Sequence, residues 1–239
     1  MATSGTYAIT MTASSMITKI LQELGVVASG DTPESNDTDI VLDKINLWLL
    51  QQNGPNNTMR SGDMMWTREA GTMDLDTTKT EYDLKPSGGD LDIQIPNELL
   101  AVYYRDTADD TDTPLESMTL KEWSKINDKD AVGKPGRYYY EKRLDTGKLI
   151  LDYKPEDDDE LIIHYKQPLE VITATSETFD IDPSWYRALL YNVAVDCAST
   201  FGVGANNPRF QTIMMLATQS MGMVNSFFKN SDPIQTRPA

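Results

Sequence analysis

Hydrophobic and polar positions along the chain fall into three regimes. In "TASSMITKILQELG", Met16, Ile17, Ile20, Leu21 and Leu24 recur at three- and four-residue spacing, the period of a helix with one buried stripe. Thr12 suits the N-cap and Gly25 suits a left-handed C-terminal stop. After the loop "VVASGDTPESN", Val41, Leu42, Ile45, Trp48 and Leu49 repeat the pattern within "DTDIVLDKINLWLLQQNG", and "NGP" ends it. A connection of this length predicts two antiparallel helices packed side by side.

From about residue 60 to 180 the period shortens to two. Alternating runs appear in "TEYDLKP", "LDIQIP", "LLAVYYRD", "RYYYEKRL", "KLILDYKP" and "ELIIHYKQP", separated by "PSGGD", "DTADDTDTP", "GKPG", "LDTGK" and "PEDDDE". The last three runs, joined by two tight turns, predict an antiparallel meander. One short helix is expected at "LKEWSKIN". There is no strand–helix–strand rhythm, glycine-rich phosphate loop or internal repeat.

Helical periodicity returns in "DPSWYRALLYNVAVDCASTFG". Asp182 can cap it, Pro183 fits the first helical position and Gly202 the stop. Trp185, Leu189, Val193, Cys197 and Phe201 form one row, with Tyr186, Leu190, Ala194 and Ala198 beside it, which predicts one broad buried face. Arg187 and Asp196 fall off that face and are candidates for salt bridges between subunits. Asn192 lies at its edge, where a bond to a neighbouring helix or turn is expected. A final helix, "NPRFQTIMMLATQSMGMVNSFFKN", has Asn207 as N-cap and Phe210, Ile213, Met214, Ala217, Met221, Val224 and Phe228 as its stripe. Met214, Met221 and Phe228 are candidate subunit contacts. The polar tail holds Pro233, Ile234 and Arg237, expected to order only on a partner. The expected class is α+β: a helical bundle from residues 1–59 and 181–230, an inserted antiparallel β domain at 60–180, and a flexible tail at 231–239.

Composition narrows the function. The 239 residues carry a net charge of −16. Most of it falls in the middle regime, where residues 60–175 hold 15 basic against 26 acidic side chains. This argues against tight binding to nucleic-acid phosphates, which needs clustered cations. A single cysteine excludes an internal disulfide and disfavours a thiolate metal cluster. No apolar run is long enough for a membrane span, and "MATSGTYAITMT" lacks the basic start of a signal peptide. The expectation is a protein made in a reducing cytoplasm, without a membrane partner.

Candidate chemistry is sparse. The only histidine, His164, shares a strand face with Ile162 and Lys166, opposite Leu161, Ile163 and Tyr165, and reads as a surface residue. No G-x-S-x-G elbow accompanies it. The acidic turns lack calcium-loop spacing and read as solvated hairpin tips. Cys197, among Ala194, Ala198 and Phe201, reads as a small buried hydrophobe. No catalytic, cofactor-binding or metal-ligating residue is assigned, and no cofactor is expected. Two other classes fit the composition: a peptidoglycan hydrolase acting through paired carboxylates in a groove, and a soluble binding module with an exposed aromatic platform.

Four segments, in order, resemble the head-to-tail adaptor proteins of tailed bacteriophages, also called head-completion or packaged-DNA-stabilisation proteins. They are "MITKILQELGVVASGDTP", "LDKINLWLLQ", the β runs "EYDLKPSGGDLDIQIP" and "GKPGRYYYEKRLDTGKLILDYKPEDDDELIIHYKQPL", and "DPSWYRALLYNVAVDCASTFG". The last is similar to the family's Pro-x-x-Trp/Tyr-x-x-Ala-Leu-x-Tyr-Asn-Leu-Ala signature, with Val193 where leucine is more usual. The resemblance implies a structural, non-enzymatic role at the head–tail junction of a virion. It implies about twelve copies in a homo-oligomeric ring beneath a portal protein and above a downstream tail or nozzle protein. Genomic DNA would pass through the acidic channel for retention and ejection without sequence-specific binding.

Overall fold

A computed structural model describes residues 9–52 and 67–229, with side chains in the second stretch described for 69–224. The chain divides into two compact units: Met1–Met65 with Leu169–Ala239, and Trp66–Pro168. Helices at both chain ends flank an inserted β region, so the class is α+β.

The helical unit contains α1 (Ala13–Leu24), α2 (Ser35–Gln52), α4 (Tyr186–Ala198) and α5 (Pro208–Lys229). Helix α1 has the ends its sequence predicts. The Thr12 side chain accepts from Ser15 N–H, and Gly25 adopts φ 77°. Gly25 N–H donates to Gln22 O and Val26 N–H to Leu21 O, the paired bonds of a Schellman stop. The predicted stripe of Met16, Ile17, Ile20, Leu21 and Leu24 is buried. On α2, Val41, Ile45, Trp48 and Leu49 are buried, while Leu42 packs half-buried against the same core.

Helix α4 is the centre of this unit, packing against α1, α2 and α5. Asp182 accepts from Ser184 N–H and starts a single 3₁₀ turn, Pro183–Trp185, before α4 begins. At the other end Gly202 adopts φ 71°, with Gly202 N–H donating to Ser199 O and Val203 N–H to Ala198 O. The regular helix ends at Ala198, and the Schellman stop lies where the glycine predicts it.

Residues 169–180, placed with the β region by sequence pattern, pack instead with the helices. Leu169, Ile172 and Phe179 join the helical core. Asn46 clamps Ile172 through two bonds, donating to its carbonyl at 2.9 Å and accepting from its N–H at 2.8 Å. Helix α1 also draws on this segment, since Ala13 N–H donates to Glu177 O and Ser14 N–H to Thr175 O. N–H groups of a first helical turn lack intrahelical partners, and here a distant loop supplies them.

The β unit comprises β1 (Thr67–Asp74), β2 (Glu81–Lys85), β3 (Leu91–Asp92), β4 (Glu98–Asp106), β5 (Thr111–Pro114), β6 (Glu116–Ser117), the short helix α3 (Leu120–Trp123), β7 (Arg137–Lys142), β8 (Gly147–Leu151) and β9 (Glu160–Gln167). One sheet has the antiparallel order β1-β9-β4-β5. The other has the order β3-β2-β8-β7-β6, with short parallel pairs at both edges. Met73, Tyr82, Leu84, Val102, Tyr104, Tyr138, Leu149, Leu151, Leu161 and Ile163, drawn from both sheets, form one core. This is the arrangement of a sandwich, in which inner faces interdigitate.

The meander does not form. Strands β7 and β8 pair as a hairpin, but β9 leaves for the other sheet and pairs with β1 and β4. The reason lies in "DYKPEDDDE", which is a crossover and not a tight turn. Two of its acids, Asp152 at its start and Asp159 just before β9, are buried and anchor the connection at each end.

Candidate assembly surface

The two buried acids at the crossover are structural. Asp152 Oδ1 accepts from Gly136 N–H at 3.0 Å and Arg137 N–H at 3.1 Å, and Oδ2 accepts from Arg137 Nε at 3.3 Å. Asp159 Oδ1 accepts from the Thr107 N–H at 2.8 Å and its hydroxyl at 3.0 Å, while Oδ2 accepts from the Tyr104 hydroxyl. Burial alone would raise the Asp159 pKa. The bonds from Thr107 and Tyr104 outweigh it and hold the carboxyl below its ordinary value. Burial and the same carboxylate push the Tyr104 phenol upward. The acidic turn read as a solvated hairpin tip is solvated only at Glu156, Asp157 and Asp158.

His164 lies half-buried on the outer face of the four-stranded sheet, its ring edge-on to Tyr103 at 5.9 Å. Among the described residues no group of three or more His, Cys, Asp or Glu side chains could hold a metal ion. Trp123 of α3 stacks on Tyr139 at 6.3 Å and is covered by Lys129 Nζ at 3.6 Å from its ring centre. Those contacts occupy the ring faces that a sugar-binding platform would present.

The segment singled out in sequence separates by burial. Trp185, Leu189, Val193, Ala194, Cys197 and Ala198 are buried, and so is Ala188, which the row pattern omits. Tyr186, Leu190 and Phe201 are half-buried against the same core. Tyr186 meets Phe179 edge-on at 6.1 Å, a contact across residues with no sequence pattern to announce it. Burial pushes the Cys197 thiol up to about 11, only partly opposed by Lys44, so the side chain behaves as an unreactive thiol. Comparison with protein-family models finds no match for this chain, and comparison with curated proteins finds none either.

The polar residues of α4 take other roles than a shared site. Arg187 is exposed, with its guanidinium 5.8 Å from the Tyr191 ring centre. Asp196 is also exposed along part of its surface, yet partial burial raises its carboxyl pKa, opposed by Lys44 of α2. Asn192 makes its bond within its own helix, donating to Ala188 O at 2.7 Å. Among the described residues the bond to a neighbouring helix or turn expected from its edge position is not made, because the carbonyl four residues back lies within reach.

On α5 the buried stripe is Ile213, Ala217, Ser220, Met221 and Val224. Met221 is 3% exposed and belongs to the protein's own core, which removes it as a subunit contact. Met214, expected in the stripe, is 48% exposed and keeps the surface position a subunit contact needs. Ser220 takes a stripe place that polarity hides, its hydroxyl donating to Ala217 O at 2.9 Å. The Phe228 side chain and the tail residues Pro233, Ile234 and Arg237 lie outside the described residues. No described helix is long and apolar enough to cross a membrane.

Proposed function

We propose that the protein is a structural head-to-tail adaptor of a tailed bacteriophage, located at the head–tail junction of the virion. About twelve copies form a ring that binds a portal protein on one side and a tail or nozzle protein on the other. The observation that carries this reading is the fate of the α4 segment. The stretch that most resembles the adaptor family is the central helix of a unit built from both chain ends. Its polar residues converge on no chemical site, so an assembly role accounts for the segment better than catalysis does.

The acidic balance fits the same role. Many copies at −16 each would give the channel a negative wall, which repels DNA phosphates and limits adhesion while the genome passes. The helical unit contacts neighbouring subunits and the portal, and the β unit faces the tail. Residues 230–239 order against the portal on assembly. Co-sedimentation with purified portal rings tests the partner. The full chain is expected to pellet with portal, and a chain ending at residue 229 to lose most of that binding. Absence of any co-sedimentation by the full chain contradicts the assignment.

A further inference from the structure

Acidic side chains are unevenly spread along the chain, and α5 lies where they are missing. The chain carries 37 acidic residues, yet none lies between Asp196 and Asp232. Two acidic molecules of one kind repel, and they approach most easily where a surface lacks carboxylates. The outer face of α5 is such a surface. Gln211, Met214, Met215, Thr218 and Gly222 are exposed along it. Thr212 and Thr218 donate their hydroxyls to Pro208 O and Met214 O, both at 3.0 Å, so these hydroxyls are already engaged within the helix.

Gly222 adds an independent observation. It is exposed in mid-helix, and a Cβ built there meets no atom within 4 Å. Glycine in a helix interior is destabilising relative to alanine. Nothing in the described fold requires it, whereas close approach of a partner helix does. Thr218 and Gly222 follow Met214 on one i, i+4 row, which leaves a flat, small-residue track beside the methionines.

Helix α2 carries the matching surface. Asp39, Asp43 and Leu47 form an exposed row, with Leu50 beside it. Leu47 and Leu50 are 60% and 52% exposed. The acids lie toward the N-terminal end of that row. Arg209 turns to the opposite side of α5, against Gly25, so parallel docking sets Asp39 and Asp43 near the positive end of the α5 dipole alone, and the leucines on Met214, Met215 and Thr218.

We infer that α5 of one copy docks on α2 of the next, a head-to-tail contact between two different surfaces. Such contacts build rings or open chains, in contrast to closed two-fold dimers. The inference names the subunit surface of the proposed ring and rests on that reading. A single helix pair is small for a stable interface, so copies in solution associate weakly and are best trapped covalently.

The test mixes two full-length variants, Leu47→Cys and Met215→Cys, with a short bis-maleimide; Leu50→Cys with Thr218→Cys is the second pair. Buried Cys197 remains as the unreactive background. The expected result is a heterodimer from each mixture and little product from any variant alone. Adding Gly222→Leu to the α5 partner should abolish most cross-linking while the melting temperature holds or rises. The inference is overturned by no heterodimer from either pair, by equal product from Met215→Cys alone, or by cross-linking indifferent to Gly222→Leu. A ring on the portal without these cross-links moves the subunit surface elsewhere and keeps the adaptor. Cross-links with no portal binding keep the surface and remove the adaptor.

Discussion

Asp159 carries the clearest residue-scale consequence, because it is buried and fully engaged by Thr107 and Tyr104. Its folded carboxyl is held below the ordinary 3.8. The stabilisation is thus fully present above that value and is lost as pH falls through the lower folded value. Asp159→Asn should cost about 1–3 kcal/mol at neutral pH and should flatten the acid limb of stability. Urea unfolding of both proteins across falling pH measures this, and parallel acid limbs would refute it. At the core of α4, Leu189→Ala should cost about 2–5 kcal/mol, the range for emptying a packed leucine site. Asn192→Leu removes the bond to Ala188 O of its own helix and should cost about 1 kcal/mol or less, which equilibrium denaturation can read. Cys197 should resist thiol reagents near neutral pH until the protein unfolds, and rapid labelling of the native state would contradict its burial.

At the scale of elements, two glycines of the helical unit should respond with opposite signs. Gly202 holds φ 71° in open space, so Gly202→Ala should destabilise by about 1–2 kcal/mol through backbone strain alone. Gly222, helical and equally open, should gain roughly 0.5–1 kcal/mol as alanine. Thermal unfolding of the two variants distinguishes these outcomes. Helix ends were the most legible feature in sequence because caps are local: Thr12, Gly25, Asp182 and Gly202 each act within a few residues. Strand partners were the least legible. Strand β1, with Gly71 and little apolar alternation, is set by pairing with β9 along its whole length. A Cβ at Gly71 would sit 2.9 Å from Leu91 Cδ2, so its glycine makes room for a side chain twenty residues away. Strand β5 has four exposed positions and is tied to β4 by Asp112, which accepts from Arg105 at 2.8 and 3.1 Å. Neither strand announces itself by hydrophobic period.

The whole molecule is two cores from one chain, and the β unit has its own. A fragment spanning Trp66–Pro168 should therefore unfold cooperatively by itself, checked by denaturant titration with coincident fluorescence and circular dichroism. The α+β division was legible because the hydrophobic period changes from helical to alternating and back. The crossover of β9 was hidden because buried carboxylates such as Asp152 and Asp159 look like a polar turn until their donors are placed. The assembly surface was legible only in part. Met214 stood out as a candidate contact although its exposure did not, whereas Leu47 and Leu50 fall outside the predicted α2 stripe and only their exposure singles them out. Electron microscopy of the full chain mixed with isolated portal tests the central claim most directly. The adaptor reading predicts class averages with a ring of this protein stacked on the portal, its channel continuous with the portal's. Bare portal rings beside free monomer at saturating concentration would contradict it.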